Sequence, residues 1–466
     1  MEASLAAFKQ RFSGQVVQPS DAGFSEATAL NVSLEAPVPA LVVRPRSTAD
    51  VVEALRFARE AGLPISVRSG GHAASAHSMV QGGMTIHLGD MKGMSLDRER
   101  GTVHAQTGCL LGDIDGFTSR EAGAKAAVLG LANTVGSGYA LYGGFGLQSR
   151  RHGLCIDNIL SMELVTADGR VLTLSEKENP ELFWAARGAG PTLGLVTSIE
   201  HRLHDVSTFY GGTVVLPEHR FKEYNQFIYN NRKDEDLASL SYLLRTPEGP
   251  IVFNFVCHWG KQSREEKEAF FAPVRAMGPM QSTLGQVDYF QMQGIFGPIW
   301  HSLPSPRRSF WTSGGLKNID DAQSFDSFLD AYFEVWKNLP PEAALAVMNV
   351  ELYGGAINRV SKEATAYWTR GTEVLFGMMP TWMDPAADEK VVAYTHEAKA
   401  HLSSHPLANP AGYINFSMHE DAQLYLGDNL ARVAAAKAQV DPAGMFHRCL
   451  DLTKRSPVAP AKARTA

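Results

Sequence analysis

The segment Arg68-Ser69-Gly70-Gly71-His72 sets two glycines, a hydroxyl and an imidazole at the end of a short apolar run, Ile65–Val67. Glycines at a strand end let the backbone approach a ligand and leave its N–H groups unobstructed, as a pyrophosphate or a flavin edge requires. Taken alone, the motif is equally well explained as a tight turn with a structural histidine. A second cluster shifts the balance: Thr134-Val-Gly136-Ser-Gly138, then Gly143-Gly144-Phe-Gly146, Gly153 and Asp157-Asn158. A third run, Arg187-Gly188-Ala-Gly190, leads to Gly194 and Val196. The pattern is not a GxGxxG turn inside one βαβ unit, so the Rossmann fingerprint is absent. Three glycine-rich loops point to an extended dinucleotide lying against many backbone amides, and a ligand-free set of turns is the weaker alternative. Glu351 places a carboxylate in the Glu-Leu-Tyr-Gly-Gly355 segment, where it is as readily a base or orienting group as a solvated strand residue. Tyr353, Trp368 and Trp382 are candidate cavity walls, against a default of core packing.

Several chemistries are excluded. The four cysteines, Cys109, Cys155, Cys257 and Cys449, form no CxxC pair, so no zinc knuckle or dithiol motif is present. His72 and His77 are not at metal-ligand helical spacing, and HExxH, GxSxG and P-loop motifs are lacking, so no metal site is expected. A net charge of -6 gives no footprint for nucleic acid. No apolar run is long enough to span a membrane, and the N-terminus lacks the features of a secretory signal, which predicts a cytoplasmic protein if the chain is complete.

The elements that must position these residues alternate through the first half. Leu41–Arg44 reads as a strand, and Ser47 to Asp50 as a capping box opening a helix that Gly62 and Pro64 stop. Met162–Thr166 and Arg170–Leu174 flank Asp168-Gly169, a hairpin signal. At 466 residues the chain exceeds what one core usually serves, and the middle part, rich in tryptophan and poor in glycine, reads as a second domain. A helix is expected from about Glu420 to Val440, stopped by Asp441-Pro442.

These pieces resemble the berberine-bridge-enzyme-like FAD-linked oxidases of the vanillyl-alcohol-oxidase (PCMH-type FAD-binding) superfamily. The matching segments are RSGGH at 68–72, NTVGSG at 133–138, GGFG at 143–146, SRRHGLCIDNI at 149–159, ELFWAARGAG at 181–190, YINF at 413–416 and DPAGMF at 441–446, in the family's order. The resemblance implies an α+β fold. Residues 1–205 would form a two-subdomain PCMH-type FAD-binding domain, residues 206–410 an inserted substrate domain with an antiparallel sheet covered by helices, and residues 411–466 a segment returning to the FAD domain.

It further implies that Arg68, Ser69, Gly70, Gly71 and the later glycine loops, with Asp157, Asn158 and Val196, hold FAD, and that His72 bonds to it covalently. Many members add a second link through a cysteine just before the TVG segment. Here that stretch is Gly130-Leu-Ala-Asn133, so a single link is expected. In YxN-type members the tyrosine is the base and the asparagine touches the cofactor, roles that fall on Tyr413 and Asn415, with Glu351 the other candidate base. A phenol of pKa ~10 needs a cation or hydrogen bonds to act so, and Arg370 is a candidate cation. Tyr139 and Tyr142 replace residues that are small in the family and are expected, with Tyr353, Trp368 and Arg370, to shape the substrate cavity. The implied activity is oxidation of a small alcohol or amine by hydride transfer to flavin N5, with dioxygen giving hydrogen peroxide, by a monomer or homodimer. A dehydrogenase with another acceptor, a natural-product oxidative cyclase and a non-catalytic flavin-binding protein are the alternatives.

Overall fold

The computed structural model describes residues 2–453 except 33, 35–36, 299–306, 410, 419–420 and 449. Ser47 accepts the Asp50 amide at the start of helix Thr48–Ala61, which Gly62 ends. The Asp50 carboxylate turns back to receive the Arg46 and Ser13 amides, tying the N-terminal segment to this helix. The helix buries Val51, Ala54, Leu55 and Ala58. They join Leu41, Val43, Ile65, Met84 and Ile86 of the first sheet in one core. In that sheet Leu41–Arg44, Met84–His87 and Ile65–Arg68 run parallel, with Gln15–Val17 antiparallel at the edge. Its last-ordered strand stops at Arg68 and so delivers the Ser69–His72 loop.

A second, antiparallel sheet orders Met94–Asp97, Thr102–Gln106, Leu195–Asp205, Ile159–Val165 and Val171–Ser175, with Lys125–Ala127 paired to the far end of Leu195–Asp205. The hairpin around Asp168-Gly169 forms with Val165 opposite Val171.

The third sheet has eight antiparallel strands drawn from Tyr210–Pro217 through Ala408–Asn409, including Leu237–Thr246, Val347–Leu352 and Val374–Met379. Its side chains alternate as the period of two requires. Leu237, Leu243, Met348 and Val350 pack under helices Phe221–Asn230, Ala322–Lys337 and Asp388–Ser403. Ala238, Leu240 and Tyr242 face the other way, into the core that also holds Leu141, Phe145 and Leu154. This second face closes over the glycine loops. Among the described residues no helix is long and apolar enough to cross a membrane.

Two elements differ from expectation. Glu351 lies near the end of strand Val347–Leu352 rather than at the start of one. The tail helix is broken: Ala422–Leu426 gives way at Gly427 to a short 3-10 turn before Leu430–Val440, and Glu420 lies outside the described residues. Gly427 has φ +49° and a Cβ there would sit 2.2 Å from the Trp368 indole, so the indole occupies the space a continuous helix would fill. Leu430–Val440 docks on Pro180–Leu193, with Lys437 Nζ donating to Thr192 O and Arg432 paired with Glu181.

Helix Leu111–Glu121 meets helix Tyr289–Gly294 through buried Asp115, whose Oδ2 accepts from Gln293 Nε2 at 3.3 Å. Asp115 Oδ1 and Gln293 Oε1 have no partner. One proton on Asp115 would satisfy both, and burial pushes this carboxyl up to about 7, opposed by the Gln293 bond. Because the folded pKa exceeds the ordinary 3.8, the folded state holds a proton the unfolded chain releases, so stability falls as pH rises from about 4 to about 7. Asp115→Asn supplies an uncharged amide in the acid's place. Denaturant titrations of both proteins from pH 4 to 8 should show the variant gaining on the wild type across that window, and parallel curves would refute the assignment.

Candidate active site

The loops at 69–72 and 134–138 meet backbone to backbone. A Cβ on Gly70 would lie 2.5 Å from Gly136 N, and one on Gly136 would lie 2.1 Å from Ser69 Oγ. Ser69 Oγ donates to Thr107 O and accepts from Ser137 N. The second loop is pinned from outside by Leu111 N to Val135 O and Gly112 N to Asn133 O, both 2.8 Å. His72 Nε2 sits 2.9 Å from Thr134 Oγ1, which fixes the ring between the two loops.

These loops form one side of a cavity of about 340 Å³. Ser69, Gly70, Gly71, His72, Gly136, Gly138, Tyr139, Tyr142, Gly194, Val196 and Asn415 all line it, and a Cβ at Gly138 would meet nothing within 4 Å. The third sheet supplies the opposite wall with Leu240, Tyr242, Val347, Glu351 and Met379. A chamber lined on one side by closely packed glycine loops and on the other by mostly apolar side chains fits a flavin dinucleotide. Apart from two histidines, its only carboxyl among the described residues is Glu351 and its only arginine or lysine is Arg448.

Other expected residues lie behind these walls. Arg68 folds away from the cavity, donating to Ala27 O. Gly143, Gly144 and Gly146 are packing positions, where a Cβ would strike Tyr367, Cys155 and Leu129 O respectively. Gly153 abuts Asp157, and Asn158 donates to His152 O and Leu154 O. Asp157 pairs with Arg370 at 2.6 Å, and Arg370 also donates to Ile357 O and Thr365 Oγ1. This buried cluster takes Arg370 out of the cavity and away from the role of cation beside Tyr413. Trp368 packs on Gly427, Trp382 donates to Asp388 in the core beneath the helices, and Tyr353 bonds Tyr367 and rests against Phe145, so these three are not cavity walls.

The two candidate bases occupy different settings. Tyr413 is 1% exposed and does not line the cavity. Its oxygen accepts from Gly144 N at 3.0 Å, Phe145 N at 3.2 Å and Asn415 Nδ2 at 2.7 Å. Burial pushes its pKa up, and these donors act in the opposite sense. Glu351 is 0% exposed yet faces the cavity. Tyr242 donates to its Oε1 at 3.0 Å, whereas Oε2 has no partner. Burial drives this carboxyl up to about 8, with the Tyr242 bond opposing.

Where many relatives carry a second cysteine link, Leu131 and Ala132 line the cavity. Cys109, Cys155 and Cys257 are buried thiols away from the lining, and Cys449 lies outside the described residues. Sequence reasoning passed over Arg448, Tyr242, Phe296 and Trp311, which all line the chamber. Arg448 follows the DPAGMF segment by two residues and was within reach of the motif; the other three carried no chemical signal.

A family model described as an FAD binding domain matches residues 39–175, the stretch that holds both pinned loops. FAD-linked oxidoreductase pgmH of Aspergillus terreus is 29% identical over 478 residues, covering 95% of this chain and 94% of that protein. (R)-6-hydroxynicotine oxidase of Paenarthrobacter nicotinovorans is 39% identical over 194 residues, 41% of this chain and 42% of that protein. The solved structure of BBE-like 1 from Physcomitrella patens matches with a TM-score of 0.84 at 22% identity, covering 96% of this chain and 98% of that one, a likeness of fold.

Among the described residues Arg448 is the one arginine or lysine on the cavity, where the cofactor's two phosphate charges would need a partner. In a His72→Ala background, which leaves no imidazole at that position to bond the flavin, Arg448→Gln should weaken FAD binding by about tenfold or more, as expected for a charge-assisted bond of ~1.5–3 kcal/mol. Fluorescence titration of the apoprotein measures this, and an unchanged Kd would remove Arg448 from the site.

Proposed function

We propose that this FAD-dependent oxidoreductase is an oxidase that holds FAD through a single covalent bond to His72 and uses Glu351 to take a proton from a small alcohol or amine. The observation that carries the reading is the unpartnered Oε2 of a fully buried carboxyl on the cavity wall. Bound FAD supplies a two-electron acceptor for the substrate's hydride, and dioxygen then takes those electrons as hydrogen peroxide.

Each step left to the protein has a residue for it. The pinned loops offer backbone N–H groups to the dinucleotide, and Thr134 holds the His72 ring in one orientation for bonding to the flavin. Leu131 and Ala132 offer no thiol, which favours one link over two. Tyr242 orients Glu351 so that Oε2 is the oxygen presented to substrate. Trp311, Phe296 and Met379 give the chamber apolar walls that exclude water. Tyr413 and Asn415 act as positioning residues: they hold the Gly144 and Phe145 amides, and Asn415 also donates to Tyr139 O, so the cavity tyrosine keeps its place.

A second reading has its own support. Three N–H donors converge on the Tyr413 oxygen, a coordination that suits a phenolate, and Tyr139 stands edge-on to its ring at 6.4 Å. Tyr413 would then be the base, reached through Tyr139.

Stopped-flow reduction separates the two. Glu351→Gln should slow flavin reduction by about 10²–10⁴-fold, the usual worth of a general base, while Tyr413→Phe should stay within about tenfold of wild type. The reverse order transfers the role to Tyr413. A base must be deprotonated, so kcat/KM for a neutral substrate should rise with pH and level off above about 8. For the tether, acid precipitation should leave the yellow colour in the pellet, with the flavin mass on the peptide containing His72. Flavin in the supernatant would show that the bond is absent.

A further inference from the structure

The segment that carries Tyr413 and Asn415 leaves the third sheet where it meets the chamber. Strand Thr312–Leu316 pairs on one side with Val374–Met379 and on the other with the tail, Gly315 opposite Asn409 and Leu316 opposite Ala408. The tail returns to the same strand at Met418, whose N–H donates to Trp311 O at 3.1 Å. Between those two points it has more residues than the strand facing it. The surplus stands off as the 3-10 turn Ile414–Phe416, and Ile414, Asn415, Phe416 and Ser417 line the chamber. A stretch that lifts off a sheet gives up its ladder bonds, and a buried N–H left without an acceptor is costly.

Ser313 fills that gap. Its Oγ accepts from Tyr413 N at 2.9 Å and lies 3.1 Å from Tyr413 O and 2.9 Å from Ser417 Oγ, so one buried hydroxyl holds both ends of the turn. The tail passes directly over it: a Cβ on Gly412 would sit 2.2 Å from Ser313 Oγ. Lys399, on helix Asp388–Ser403, donates its Nζ to Ser313 O, and the same ammonium lies 5.3 Å from the centre of the Phe376 ring. Neither Ser313 nor Lys399 lines the chamber.

Resting on FAD lying in the chamber and on neither choice of base, we infer that Ser313, backed by Lys399, is a positioning residue for the cofactor, fixing the turn that carries Asn415 on the chamber wall. Asn415 Nδ2 donates to the Tyr413 hydroxyl and to Tyr139 O, so a displaced turn carries the cavity tyrosine with it. Hydrogen bonds and dipoles around a flavin ring set its reduction potential, which therefore reports where the turn sits. A serine that served stability alone would have no reason to act on that potential through Asn415.

The midpoint potential of the holoenzyme's flavin tests this, measured anaerobically against reference dyes in Ser313→Ala, Asn415→Ala and the double variant. Ser313→Ala should shift the equilibrium between oxidised and two-electron-reduced flavin at least tenfold, about 30 mV. Asn415→Ala should shift it too, and adding Ser313→Ala to Asn415→Ala should change nothing further, the coupling expected when one residue acts through another. Ser313→Thr keeps the hydroxyl and should return the wild-type value, while Lys399→Met should move the potential in the same direction as Ser313→Ala. An unchanged potential in Ser313→Ala, no effect of Asn415→Ala, or shifts that add in the double variant overturn the inference. Failure of the proposed function reads differently: a Glu351→Gln flavin reduced at the wild-type rate, or flavin freed by acid, sinks that reading and leaves the cycle of potentials standing.

Discussion

The contact between Gly70 and Gly136 is the constraint on which the rest depends. Each glycine occupies the space a side chain on the other would need, with 2.5 Å and 2.1 Å separating the imagined Cβ atoms from their neighbours. The arrangement holds because Ser69, Leu111 and Gly112 bond each loop to structure outside the contact. His72 inherits its position from the same joint, through Thr134. A parallel strand that ends at Arg68 and a bridge from Leu110 to Gly136 are thus parts of one device that brings two glycine loops together on the chamber.

The third sheet answers that device from above. An antiparallel sheet can commit one face to helices and leave the other for a different use. Here the helix face carries the aromatic core of Phe325, Phe328, Tyr332 and Trp336. The rigidity gained there permits a liability opposite, an unpartnered carboxyl oxygen at Glu351. A loop would relax to solvate such a group. A strand held on both sides by Leu237–Thr246 and Val374–Met379 cannot, and the unpartnered oxygen stays on the chamber wall.

The legibility of all this in the sequence was uneven, for physical reasons. The helix from Thr48 announced itself by its cap and its closing glycine, and the hairpin by Asp168-Gly169, because each depends on residues adjacent in the chain. The Ser69–His72 and Gly136–Gly138 loops were legible because close approach demands glycine whatever the distance in sequence. Tyr242 and Trp311 were not, since nothing local marks which strand face will meet a cavity. Arg370 and Trp368 failed as cavity residues because their partners, Asp157 and Gly427, are 213 and 59 positions away and belong to packing rather than to chemistry.

The Gly143–Gly146 run shows what glycine alone reports. A Cβ at Gly143 would press on Tyr367 and Tyr413, one at Gly144 on Cys155, and one at Gly146 on Leu129 O. The run is thin where a tyrosine hydroxyl reaches the amides of Gly144 and Phe145. Those two amides would otherwise be buried without acceptors, and Tyr413 satisfies both with one oxygen. The same oxygen then takes the Asn415 amide, which is why tyrosine and asparagine are spaced two apart in this tail. A motif that elsewhere signals catalysis is here also the fastening that holds the wall bearing Tyr139 against the chamber, so its two residues are accounted for by structure before any proton moves.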